Sequence, residues 1–178
     1  MNSINSVPVL ETERLVLRGH QISDFEDVAA LWADPQVVER ISGRPSTAEE
    51  SWSRLLRYTG HWIQLGYGYW VVTDKQNRSF LGEIGFANYR RQMSPPLGNT
   101  PEAGWALKSA AHGKGYATEA VQAILNWADT TLEHDRTVCI MSPSNTASLS
   151  VARKVGYGNP QEASYKGENI LMFERLKP

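Results

Sequence analysis

The chain has 178 residues, 41% of them hydrophobic and 21% charged, with a formal net charge of −1, which suits a single domain over residues 1–178 with a sizeable core. The charge balance excludes a global electrostatic case for a nucleic-acid or membrane-surface partner, and no apolar run approaches the roughly 18 residues that cross a bilayer. One cysteine, Cys139, excludes an intrachain disulfide, and the polar start from Met1 to Pro8 lacks the pattern of a secretory signal, so the expectation is a cytoplasmic protein.

Residues 9–18, around Leu15-Val16-Leu17, read as a first strand. Ser23-Asp24-Phe25-Glu26 has capping-box spacing; Phe25, Val28, Ala29 and Trp32 follow at helical intervals until Asp34-Pro35. A second box, Thr47 to Glu50, opens a helix expected to bury Trp52, Leu55, Leu56, Thr59 and Ile63 and to end at Gly66. Residues 67–73 are aromatic and β-branched, 74–77 form a turn, and 80–86 return as the antiparallel partner. Residues 90–101, with Pro95-Pro96 and Gly98-Asn99, read as a loop whose length suggests a binding role.

A short strand is expected over 102–107 and a long helix over 116–132, with Ala117, Ala120, Val121, Ile124, Leu125, Ala128 and Leu132 on one face. Residues 137–141 form an apolar run suited to a strand buried on both faces. A helix over 145–155 and strands near 161–164 and 169–175 complete the chain. Strand, helix and strand over 102–141 make a parallel crossover beside an antiparallel hairpin. The fold class is therefore α+β (mixed α/β), a mixed sheet with helices on its faces.

The most informative segment is Ala110-Ala111-His112-Gly113-Lys114-Gly115-Tyr116-Ala117-Thr118-Glu119, where glycines stand at the passage from strand to helix. The first N–H groups of a helix lack internal partners, its end carries partial positive charge, and glycines allow close approach of an anion. The spacing fits neither the P-loop nor the dinucleotide fingerprint, since no Gly-Lys-Ser/Thr follows and Thr118 stands where a third glycine would be.

His112-Gly113-Lys114-Gly115-Tyr116-Ala117 resembles the Gln/Arg-x-x-Gly-x-Gly/Ala signature of the GCN5-related N-acetyltransferases (GNAT), with His112 in place of the usual Gln or Arg. Gly113-Lys114-Gly115-Tyr116-Ala117-Thr118-Glu119-Ala120 is similar to the branch that acetylates ribosomal-protein N-termini. A second block, Asn145 to Tyr157, resembles that branch's Asn-x-x-Ser-x-x-x-x-x-Lys-x-Gly-Phe helix, and Glu11 to Arg18 resembles its first strand. The resemblance implies the acyl-CoA N-acyltransferase-like fold, with a mostly antiparallel sheet and a splayed parallel strand pair. It implies acetyl-CoA as co-substrate and a small-molecule or peptide amine as acceptor. Backbone groups of Trp105, Ala106 and Leu107 would pair with the pantetheine arm. His112, Gly113, Lys114, Gly115, Tyr116, Ala117 and Thr118 would surround the diphosphate. Asn145 would reach the pantetheine, serve as a helix N-cap, or both.

Attack by an amine on a thioester needs a neutral amine, a donor for developing negative charge, and a proton for the leaving thiolate. Much of the family supplies that proton from a tyrosine whose place here is Ala152, and the ribosomal-protein branch is thought to use the serine matching Ser148. Ser148 is thus either the acid or a small residue that lets the cofactor pass. Glu83 and Glu102 are the candidate bases, each on a strand bordering the acceptor cleft. Tyr67, Tyr69 and Trp70 line that cleft or fill the core. Lys114, Arg153 and Lys154 face a 3′-phosphate or solvent, and Cys139 reads as inert core. The four histidines show no metal-ligand spacing, so no metal is expected. A non-catalytic CoA-binding module on the same fold is the alternative, and the protein is expected to be a monomer or homodimer.

Overall fold

The computed structural model describes residues 7–178; the start of the polar segment read above, residues 1–6, lies outside them. The elements are β1 (Leu10–Glu11), β2 (Leu15–Arg18), α1 (Phe25–Ala33), α2 (Pro35–Val38), α3 (Ala48–Leu65), β3 (Tyr69–Asp74) and β4 (Phe80–Ala87). They continue with β5 (Met93–Ser94), β6 (Glu102–Leu107), α4 (Tyr116–Thr131), β7 (Arg136–Met141), α5 (Thr146–Lys154), β8 (Gly158–Tyr165) and β9 (Glu168–Leu176). One sheet runs in the order β1-β2-β3-β4-β6-β7-β9-β8-β5. Every pairing is antiparallel except β6 with β7, so the mixed class expected from the crossover holds.

The period-2 alternation of strand side chains divides the core. Trp70, Val72, Ile84, Phe86, Ala103 and Leu107 pack with Val121, Ile124 and Leu125 of α4 and with Leu149 and Ala152 of α5. On the opposite face Val71 and Ala106 pack with Val28, Leu31 and Trp32 of α1, Val38 of α2 and Leu55 of α3. Near the end of α3, Trp62 crosses Gly68, where a Cβ would stand 2.6 Å from its ring, and meets Trp70 and Trp127 edge-on.

Several local expectations are corrected. The first strand breaks in two because Thr12 folds back, its hydroxyl accepting from the Leu15 N–H at 2.9 Å, which lets β1 pair antiparallel with β2. The box at Ser23 does not form. Asp24 instead accepts from the Gln21 N–H at 2.7 Å and from both terminal nitrogens of Arg18, because an ionised carboxylate outcompetes a hydroxyl. Asp34 ends α1 but also caps the short α2 that the sequence reading omitted, accepting from the Gln36 N–H at 2.9 Å. The loop over 90–101 contains β5, which pairs with β8. The Thr47–Glu50 box forms as expected.

The largest correction concerns α3, where Ser51, Leu55, Tyr58, His61 and Trp62 are buried. Trp52, Leu56 and Ile63 are 38%, 47% and 59% exposed. The helix is amphipathic about an axis rotated from the expected one, because Tyr58 and Trp62 bury more area than Leu56 and Ile63 could. Trp62→Ala should therefore lower unfolding free energy by about 3–5 kcal/mol, whereas Leu56→Ser with Ile63→Ser should shift it by about 0.5 kcal/mol per site or less. Chemical denaturation of the three proteins measures the contrast.

Candidate active site

The site begins with a gap in the sheet. Strands β6 and β7 share one register pair, Glu102 with Val138, reinforced by the Val138 N–H donating to the Pro101 carbonyl at 3.0 Å. Beyond it the strands part, and the backbone edge of β6 that faces β7 is left open from Ala103 onward. Trp105 is partly buried there, and Ala106 and Leu107 are buried. The fork opens toward the loop that enters α4.

That loop is built around two left-handed residues, Gly113 (φ 73°) and Gly115 (φ 80°), the second being the N-cap of α4 with no side-chain capping bond. Among the described residues, none of the backbone N–H groups from Gly113 to Thr118 donates to a protein acceptor; the Glu119 N–H is the first to do so, to the Gly115 carbonyl. A Cβ on Gly113 would meet nothing within 4 Å. Successive free amides in this conformation, at the positive end of a helix, are an arrangement suited to an anion. His112 fixes where the loop begins, through Nε2 within 2.8 Å of the Leu107 carbonyl oxygen. The side chain of Lys114 is exposed.

The loop is clamped from behind by residues that the motif reading did not assign. Glu119 accepts from the Thr12 hydroxyl at 2.6 Å, the Arg14 N–H at 2.9 Å and Arg14 Nε at 2.7 Å. Arg14 also donates to the Lys114 carbonyl at 2.9 Å and lies 4.5 Å above the Tyr116 ring. The glutamate in the Gly-Tyr-Ala-Thr-Glu run was the available signal; its partners, more than a hundred residues earlier, were not.

On the other side of the fork stands α5. Asn145 is its N-cap, accepting from the Ser148 N–H at 3.1 Å, and its amide nitrogen lies 3.4 Å from the Arg40 carbonyl. The Ser148 hydroxyl has no hydrogen-bond partner among the described residues, and Ala152, one turn later, is fully buried. Cys139 on β7 is buried, which pushes its thiol well above the ordinary range, as for an unreactive side chain.

The two carboxylates sit far apart on the α1–α3 face, since Glu83 is in register with Ala106 while Glu102 is in register with Ala87. Glu83 is fully buried, 2.6 Å from His20 Nε2 and accepting from Trp32 Nε1 at 2.6 Å. Glu102 takes a bidentate contact from Arg91 at 2.7 and 2.9 Å. Against burial, which disfavours its charge, Glu102 holds the Arg91 guanidinium protonated.

Between these two lies a group of tyrosines. Tyr69 stacks on Tyr58 at 4.2 Å with nearly parallel rings, and its hydroxyl sits where a Cβ of Gly104 would stand. Gly85, in register with Gly104, is equally constrained, because a Cβ there would overlap Tyr69 and Gly68 backbone. Glycine at both positions is what lets Tyr69 reach across β4 to the middle of β6. Tyr89 packs against this pair. Burial raises Tyr58 and Tyr69 well above 10, so both keep their protons and remain available as donors. Of the aromatics named from sequence, Tyr69 reaches the fork, whereas Tyr67 and Trp70 belong to the α4-side core.

The family model for the acetyltransferase (GNAT) domain matches residues 14–158. A putative GNAT-family acetyltransferase from Bordetella pertussis superposes with a TM-score of 0.83 at 33% identity, covering 94% of this chain and 99% of its own. The uncharacterized N-acetyltransferase p20 of Bacillus licheniformis is 26% identical over 175 residues, 94% of this chain and 96% of its own. RimL, the ribosomal L7/L12 alpha-N-protein acetyltransferase in complex with coenzyme A, shares the fold at 16% identity with a TM-score of 0.75, covering 95% of this chain and 98% of its own. The chain belongs to the GNAT family, and it is an N-acetyltransferase.

The clamp has a pH signature. Burial pushes the Glu119 carboxyl up, but the hydrogen bonds from Thr12 and Arg14 outweigh it and hold the group below its ordinary 4.5. Its contribution to stability is therefore present above about pH 4.5 and is lost as pH falls through the lower folded value. Thermal melts from pH 7 down to pH 3 should show a steeper acid loss for the native protein than for Glu119→Gln.

Proposed function

We propose that the protein transfers the acetyl group of acetyl-CoA to a primary amine, on a protein N-terminus or a small molecule, by direct attack in a ternary complex in the cytoplasm. The observation that carries this reading is the run of unpartnered N–H groups from Gly113 to Thr118 at the mouth of the fork. Those amides, with the positive end of α4, would hold the diphosphate, flanked by His112, Lys114, Tyr116 and Ala117. The open edge of β6 at Trp105, Ala106 and Leu107, where His112 already engages the Leu107 carbonyl, would take the pantetheine arm as an added strand, with Asn145 beside it. The open backbone row and the free amides fit such a molecule, and RimL, of the same fold, is described in complex with coenzyme A.

When bound, acetyl-CoA supplies an acyl carbon activated by its thiol leaving group. Ser148 holds a proton at Oγ for the departing sulfur; its hydroxyl is free of other duties. Glu83 fixes the His20 ring, and in the tautomer with hydrogen on Nε2 the lone pair of Nδ1 is a basic site for the ammonium proton. Tyr58 and Tyr69 extend from His20 to the fork, where the Tyr69 hydroxyl is a donor for developing negative charge. Glu102, the second candidate base, has both oxygens engaged by Arg91 and would take a proton only after that pair opens.

Calorimetric titration should give one-to-one micromolar binding of acetyl-CoA, with weaker binding of dephospho-CoA; a folded protein that binds neither overturns the reading. Gly115→Trp should abolish that binding, because a side chain at φ 80° is strained and its Cβ would stand 3.4 Å from Arg14 Nη2, displacing the clamp that sets the loop. Ser148→Ala should lower turnover about 10²-fold with unchanged acetyl-CoA affinity, and an unaltered chemical step would remove Ser148 from the mechanism.

A further inference from the structure

The segment before α3, the first turns of α3 and Lys166 of the turn between β8 and β9 line an open cavity of about 670 Å³, separate from the fork, with Arg44, Glu49, Glu50, Arg54 and Arg57 among its residues. Its charges do not cancel. Arg44 is bound to Glu50 at 2.5 Å, which leaves Arg54, Arg57 and Lys166 against Glu49. Among the described residues, neither Arg54 nor Arg57 meets a carboxylate. Arg54 lies 3.8 Å over the Trp32 ring, with Nη1 3.4 Å from Ser46 Oγ. Arg57 lies 5.1 Å over Tyr89 and 5.7 Å over Tyr58. Lys166 stands on the facing turn, 5.4 Å over Tyr165.

Stacking holds a guanidinium by its face and leaves its N–H edge free to bind an oxyanion. Three cations around a concave surface also focus a positive potential that attracts anionic ligands. The rings beneath the two arginines lead directly into the proposed machinery. Trp32 donates to Glu83, and Tyr58 stacks on Tyr69, whose hydroxyl lies over Gly104. An anion held in the cavity is thus on the α1–α3 face of the fork, the side from which an amine would reach a chain laid along β6.

We infer that the acceptor is an amine that carries carboxylates, a small acidic amino acid or an acidic peptide N-terminus, gripped by Arg54 and Arg57 with Lys166 opposite. This rests on the acetyl-transfer reading above. A polycationic amine is the acceptor that this cavity disfavours.

The test is a matched acceptor panel with acetyl-CoA: free glutamate against glutamine, the tripeptide amide Ala-Glu-Glu against Ala-Gln-Gln, and a polyamine. An acidic member should exceed its neutral partner in kcat/KM by about tenfold or more, with the ratio falling as salt is raised. Glutamate alone as the better acceptor assigns a small molecule, and the peptide alone an N-terminus. The double variant Arg54→Gln, Arg57→Gln should bring the ratio near one while still binding acetyl-CoA; should it not fold, the exposed single change Arg57→Gln should still reduce the ratio. Turnover of the neutral members or the polyamine at equal or higher kcat/KM overturns the inference and leaves acetyl transfer standing. Acetyl-CoA binding with no amine acetylated also overturns it, and absence of both binding and turnover overturns the two readings together.

Discussion

Glu102 and Val138 are the place where two halves of the sheet still touch. A parallel pair that continued would satisfy its own backbone groups and leave nothing to bind. A pair that never met would leave the halves without a common origin. One contact followed by divergence gives an open strand edge inside a sheet, flanked by two helix starts at Gly115 and Asn145. The crossover makes this placement unavoidable, because α4 must begin where β6 ends and α5 follows directly on β7.

The two faces of the sheet divide the labour. The α4 face is apolar and closely packed around Trp70, Ile84 and Val121, and it holds the helix start steady. The α1–α3 face contains the buried polar groups: Glu83 with His20 and Trp32, Glu102 with Arg91, and the tyrosine group. Burying such groups is costly unless each finds a partner, and here each carboxylate does. The absence of a side chain at Gly85 and Gly104 matters as much as any residue present, since it gives Tyr69 its path across the sheet.

The framework was largely legible in sequence because its signals are local. Strand 102–107 was placed to the residue, the helix over 116–132 to within one, and the Thr47–Glu50 box formed as spaced. The glycine turn into α4 was legible because both glycines adopt a left-handed backbone conformation, Gly113 at φ 73° and Gly115 at φ 80°. Misreadings arose where tertiary partners choose between local options. Asp24 displaced Ser23 as the turn's acceptor because Arg18 lies beside it, and α3 took its buried face from Tyr58 and Trp62, aromatic residues that find partners only in the folded sheet. His20 and Arg14 could not be read as site residues at all, and Tyr69 only as a residue of the cleft or of the core. Their importance comes from groups they meet elsewhere in the chain: Glu83, Glu119 and Gly104.

That separation has a consequence for how the protein is made. The clamp on the glycine loop joins Thr12 to Glu119 across 107 residues and Arg14 to Glu119 across 105. Contacts so distant in sequence form late, because closing the intervening chain costs entropy before the contact returns anything. The loop that follows β6 can fold locally, but its final set depends on the N-terminal hairpin docking against α4. A chain emerging during synthesis therefore carries its first strands long before their partner exists, and the glycine loop is set only when the chain's beginning and its distant middle have met.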